Sequence, residues 1–136
     1  MKKLSFILCL VVIISLLTAG CSGTPAPKGL LQGKVYIGPL SPVVMPGEPP
    51  PLNCAAYDAR KIMIYDKSGS KLIQEVDIEC NSEENYTRYR VELDPGTYTV
   101  DINRIGIDYS DEVPRQVEIL SDTTFKLDID IDTGIR

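Results

Sequence analysis

Between residues 62 and 132 apolar side chains recur at every second position, and a chain patterned this way lies extended with one face turned inward. Ile62 and Ile64 alternate with Met63 and Tyr65; Leu72, Val76 and Ile78 share one face and Glu75, Asp77 and Glu79 the other. Tyr89, Val91 and Leu93 oppose Arg88, Arg90 and Glu92, and Tyr98, Val100 and Ile102 oppose Thr97, Thr99 and Asp101. Val117 and Ile119 mark a short strand, and Phe125, Leu127, Ile129 and Ile131 oppose Lys126, Asp128, Asp130 and Asp132. Residues 34–37 add a first strand, with Val35 and Ile37 opposite Lys34 and Tyr36. Turns at Asp66-Lys67-Ser68-Gly69 and Asp94-Pro95-Gly96 separate the runs, Pro95 presetting φ and Gly96 accepting a positive φ. Apolar residues at helical spacing over three turns are missing beyond the N-terminal segment, which disfavours a parallel βαβ arrangement. The expectation is an all-β domain over residues 32–136, a seven-stranded antiparallel β-sandwich. Residues 38–58 carry six prolines between Pro39 and Pro51, which denies them the amide donors of a helix or inner strand and implies a long loop.

The N-terminus is built differently. Met1-Lys2-Lys3 is followed by an uncharged run over residues 4–17 and then by Thr18-Ala19-Gly20-Cys21. Those fourteen residues would span only about 21 Å as a helix, at ~1.5 Å per residue, short of a ~30 Å hydrocarbon core. The run fits the apolar core of a secretory signal better than a permanent span. Leu17-Thr18-Ala19-Gly20-Cys21 resembles the lipobox of prokaryotic lipoproteins, although Thr18 stands where leucine is commonest. The resemblance implies that residues 1–20 are a lipoprotein signal peptide and that Cys21 is lipid-modified after cleavage. Gly23, Pro25, Pro27 and Gly29 make residues 21–31 a flexible tether.

Removing Lys2 and Lys3 leaves 12 of the 14 basic residues against 19 acidic ones, a net charge of −7. A domain this acidic offers no footprint for nucleic acid, and any membrane attachment has to come from the lipid anchor rather than from surface charge. Histidine is absent, which removes imidazole bases, the usual triads and nearly all catalytic zinc or copper sites. Of four cysteines, Cys9 lies in the signal and Cys21 is taken by the lipid, leaving Cys54 and Cys80. Outside the cytoplasm such a pair oxidises, and closing the loop stabilises the fold by about 3–4 kcal/mol on the chain-entropy account. A redox or metal role for the pair lacks the close Cys-x-x-Cys spacing.

Gly33-Lys34-Val35, the Asp66-to-Gly69 hairpin and Tyr89-x-Val91-x-Leu93-x-Pro95-Gly96-x-Tyr98-x-Val100 together resemble the carboxypeptidase regulatory-like domain. That is a transthyretin-like, Ig-like sandwich akin to collagen-adhesin B-type repeats, and the likeness covers most of residues 32–131. It implies a fold and says almost nothing of function; the proline loop is longer than such a domain needs, and no peptidase domain accompanies it. In the hairpin the Tyr98 ring is expected to fill core volume while its hydroxyl seeks a partner at the sandwich edge. A transthyretin-like fold can also carry hydroxyisourate hydrolase activity, but that depends on histidines and a C-terminal tetrapeptide which this chain lacks.

Asp128, Asp130 and Asp132 invite a calcium reading. Alternate carboxylates on one strand stand about 6.8 Å apart, too far for a single ion without a second strand, so a solvated strand face explains them better and also guards an edge. Lys34 with Asp128 or Asp130 has the residue types of an isopeptide crosslink, but both carboxylates alternate away from the apolar pocket such a bond requires. Asn85-Tyr86-Thr87 forms a sequon, read as fortuitous in a prokaryotic lipoprotein. Tyr57, Tyr65, Tyr86, Tyr89 and Tyr109 divide between core and surface, with a binding face as the alternative. The reading is a non-enzymatic accessory or adhesion-type module, lipid-anchored at the extracytoplasmic face of the cell membrane, or in an outer membrane if the host has one. No catalytic residue and no cofactor are expected; an envelope protein or glycan is the expected partner, met by the proline loop or an exposed strand edge. The alternative is a binder of carbohydrate or Ca2+ through tyrosines and surface carboxylates.

Overall fold

The computed structural model describes residues 23–41, residue 47 and residues 51–135. The signal segment, Cys21 and most of the proline loop therefore lie outside the described residues. Within them, nine strands and a short helix follow in the order β1 (Gly29–Gly38), α1 (Cys54–Asp58), β2 (Lys61–Tyr65), β3 (Leu72–Asp77), β4 (Glu79–Asn81), β5 (Tyr86–Leu93), β6 (Gly96–Ile102), β7 (Arg115–Ile119), β8 (Thr124–Lys126) and β9 (Ile129–Asp132). One sheet is ordered β4-β5-β1-β8, with β9 following β8 along the same side of β1, and the other is ordered β3-β2-β6-β7. The two sheets face each other as a β-sandwich.

Most of the alternation read from sequence is the alternation that is buried, Leu72 being the exposed exception. Leu31, Val35 and Ile37 of β1, Tyr89, Val91 and Leu93 of β5, and Ile129 and Ile131 of β9 meet Ile62, Ile64, Val100, Ile102, Val117 and Ile119 from the other sheet. Fully buried branched side chains such as Ile62, Ile64 and Ile129 each contribute roughly 1.5–3 kcal/mol relative to exposure.

The architecture departs from seven antiparallel strands in two ways. First, two predicted strands break. The run over residues 72–79 is interrupted at the buried Ile78, where the chain leaves the four-stranded sheet as β3 and enters the five-stranded sheet as β4. The last strand divides into β8 and β9 at Leu127 and Asp128. Second, the five-stranded sheet is mixed: β1 is antiparallel to β5 but parallel to both β8 and β9, from Leu30↔Thr124 to Gly38↔Asp132. A period of two specifies which face is buried and is silent on strand direction.

The β8–β9 break has a local cause at Gly33. A Cβ there would stand 1.8 Å from the Leu127 carbonyl oxygen and 3.0 Å from Cε1 of Tyr89. Glycine thus lets the Leu127 carbonyl lean over β1, where it accepts a 2.7 Å hydrogen bond from the wholly buried Tyr89 hydroxyl. The ladder is repaired around this point by Leu127 N–H donating to Gln32 O at 3.0 Å and by Lys34 N–H donating to the Asp128 carboxylate at 2.7 Å. Burial pushes the Tyr89 phenol far above its ordinary pKa, so the donor is held in its protonated form.

Two further expectations are corrected. The strand that opens the domain starts at Gly29, not Lys34, so the last three residues of the 21–31 tether belong to β1 and Leu31 is fully buried. Gly29, which resembles a linker residue, is instead a close-approach site, since a Cβ would lie 2.3 Å from Leu120 O. The end of the proline-rich stretch forms α1, which carries Cys54 and the buried Tyr57. The Tyr98 ring packs half-buried against the core and its hydroxyl donates to Asp94 O at 2.8 Å, in line with the expectation, while the wholly buried phenol is Tyr89.

Candidate functional site

The C-terminal end of β1, the end of β9 and the segment preceding β7 meet at one pole of the sandwich. Between them lies a groove of about 550 Å³, bounded by Tyr36 to Pro39, by Tyr109 to Glu112, and by Asp130 and Asp132. Tyr36 and Asp130 are direct cross-strand neighbours, as are Gly38 and Asp132, so parallel pairing of first and last strands is what puts tyrosine and carboxylate side by side.

The third wall is held from beneath. Tyr109 N–H donates to Asp132 O at 2.9 Å and Asp132 N–H returns a bond to Tyr109 O at 2.8 Å, which docks the segment as an antiparallel bridge on β9. Next to it, Asp108 is buried and accepts from Arg60 Nε at 2.8 Å and Arg60 Nη2 at 2.9 Å, a bidentate pair, and from Ile105 N–H at 3.1 Å. Arg60 also donates to Ala56 O at 2.9 Å, so a single guanidinium joins α1 to the wall. Glu112 accepts from Ser110 Oγ at 2.8 Å and from Asp130 N–H at 3.3 Å.

The groove is electronegative. Asp111, Glu112, Asp130 and Asp132 line it, and among the described residues no lysine or arginine does. Partial burial, and then the charges of Glu112 and Asp132, hold the Asp130 carboxyl above the usual carboxylate range. The Tyr109 hydroxyl donates to Asp111 Oδ1 at 2.7 Å, and that bond raises the phenol's pKa. Tyr36 and Tyr109 are more than half exposed. Such a site can accept hydrogen bonds from hydroxyl or amino groups and stack an apolar ring face against an aromatic one.

Of the three aspartates weighed as metal ligands, the structure brings Asp130 and Asp132 to the groove and sends Asp128 elsewhere, onto Lys34 N–H. Asp132 accepts from Gly134 N–H at 2.8 Å. Among the described residues no group of three or more His, Cys, Asp or Glu side chains is placed to hold a metal ion. Lys34 meets Asp128 through its backbone amide, so the crosslink chemistry has no geometry behind it. Tyr36, Asp111 and Glu112 were not singled out from sequence; the last two lie in a segment without periodicity, and only the fold shows that it reaches the strand end.

Cys54 and Cys80 form a disulfide with Cα atoms 5.5 Å apart, tying α1 to β4 at the edge of the five-stranded sheet. Cys21 is outside the described residues, among which no helix is long and apolar enough to cross a membrane. The chain matches no protein-family model, and no curated protein matches it either.

Proposed function

We propose that this chain is a non-enzymatic accessory or adhesion-type module of a prokaryotic cell envelope, held at the extracytoplasmic face of the membrane by acyl groups on Cys21, its sandwich being of the carboxypeptidase regulatory-like kind. The observation that carries this reading is the Cys54–Cys80 disulfide, a bond that persists in oxidising compartments and agrees with the signal-like residues 1–20. Lipidation places the N-terminal end of β1 toward the membrane and the tyrosine groove at the far pole, about 30 Å away at ~3.3 Å per strand residue. The test is metabolic labelling with radioactive palmitate in a bacterial host, followed by detergent phase partitioning. The native chain takes up label and enters the detergent phase, and Cys21→Ser does neither; label or detergent partitioning that survives Cys21→Ser overturns the reading.

The groove favours a second reading, an extracytoplasmic carbohydrate binder, because two exposed tyrosine rings stand beside carboxylates able to accept from sugar hydroxyls. Calcium, the other ligand of that reading, has less support, since Asp128 is directed away from the groove. Calorimetric titration with cell-wall glycans and with Ca2+ separates the two. Glycan heat that Tyr36→Ala and Tyr109→Ala abolish supports the binder; no heat with either ligand leaves the accessory role.

A further inference from the structure

We infer that the sandwich carries mechanical load along β1, between the membrane attachment and the far pole. The inference rests on the anchored reading for its biological setting and on strand pairing for its physics. Among the described residues β1 is the first strand, and it lies between β5 on one side and the last two strands on the other. Because β1 runs parallel to β8 and β9, the chain's two ends leave the sheet at opposite poles: the N-terminal end at Gly29, the C-terminal end beyond Asp132. Tension between the ends slides β1 against β8 and β9 lengthwise. Every bond of the seam is then loaded together, whereas peeling two strands from one end loads the bonds one after another.

The seam is bonded over the whole length of β1. It starts with Leu30 N–H donating to Thr123 O at 2.8 Å and ends with Thr133 N–H donating to Gly38 O at 3.1 Å. Where the ladder breaks it is reinforced by the Lys34 to Asp128 bond, and Tyr89 ties Leu127 to β5 from the other side. The Thr133 hydroxyl adds a further bond to Pro39 O at the far end. The Cys54–Cys80 disulfide lies off this line, so resistance has to come from the strands themselves.

Single-molecule pulling of the full chain tests this by changing only the direction of force. One sample carries handles before Gly23 and after Arg136. The other carries handles on Lys28→Cys and Thr123→Cys, which flank the same seam at one pole, so that force peels it. At equal loading rate the end-to-end geometry is expected to rupture at a force at least about twofold higher, since forced unfolding reports the barrier along the pulled direction. Equal or lower end-to-end forces overturn the inference. A failure here leaves the Cys21 labelling result untouched, and a failure of labelling leaves this comparison standing.

Discussion

Gly33→Ala is the substitution that most directly tests the packing described here. The added methyl would sit 1.8 Å from the Leu127 oxygen and 2.5 Å from the Leu127 carbonyl carbon, both backbone atoms that no rotamer change can move. Either β8–β9 retreats or β1 bends. Overpacking of this kind costs about 1–3 kcal/mol. A retreat of Leu127 also breaks the bond from the buried Tyr89 hydroxyl, about 1–3 kcal/mol more when a buried partner is left unsatisfied. The expected loss is therefore about 2–6 kcal/mol, a large part of the 5–15 kcal/mol that folded domains typically have. Urea unfolding followed by far-UV circular dichroism measures it. Tyr89→Phe alone should cost about 1–2 kcal/mol, and in the double variant the two effects should fall short of additive by about 1 kcal/mol, because the alanine already separates the hydroxyl from its acceptor. Gly33→Ala within about 0.5 kcal/mol of the native protein would refute the close approach, as would full additivity of the pair.

Other outcomes follow from the same contacts. Asp108→Ala strands a buried Arg60 and should cost about 3–5 kcal/mol in urea unfolding, and it should weaken whatever ligand the groove takes by freeing the Tyr109 segment. Cys54→Ala with Cys80→Ala should lose about 3–4 kcal/mol, and reducing agent should destabilise the native protein by a similar amount while leaving the double variant unchanged. The folded protein holds the Asp130 carboxyl above its ordinary range, so ionising it opposes folding: the penalty is absent below the unfolded pKa, grows as pH rises from there to the folded pKa, and is complete above it. Asp130→Asn should consequently raise the urea midpoint at neutral pH and leave it unchanged near about pH 3, below the ~3.9 of an unperturbed aspartate; a lowered midpoint at neutral pH would contradict this.

What the residues announced and what they concealed divide along one physical line. Alternation in 62–65, 86–93 and 96–102 encodes burial of every second side chain, and those strands formed with the expected faces inward. Direction, neighbours and interruptions are properties of tertiary packing and have no period. Thus nothing local in 124–132 says that it runs beside β1 in the same sense, and nothing local at Gly33 says that it is where two backbones touch. Leu72 shows the converse: it keeps the alternation but stays exposed, because β3 is an edge strand whose pairing shifts register near Tyr65. In the groove, Asp130 and Asp132 were legible as an acidic strand face, and Tyr109 as one of several tyrosines. Their meeting with Tyr36, Asp111 and Glu112 depends on a buried Arg60–Asp108 pair drawn from segments 48 residues apart, which no local pattern reveals.

The placement of β1 also governs when this protein can acquire its structure. Among the described residues the strand made earliest has as edge partners residues 86–93 and 124–132, so its second hydrogen-bonding edge stays open until nearly the whole polypeptide is available. Contacts of such long sequence separation make folding slow and concentrate it in a late, cooperative step. A chain that emerges N-terminus first would therefore remain pliable for most of its passage, and a stop codon a dozen residues early would deprive the five-stranded sheet of β9 and most of β8.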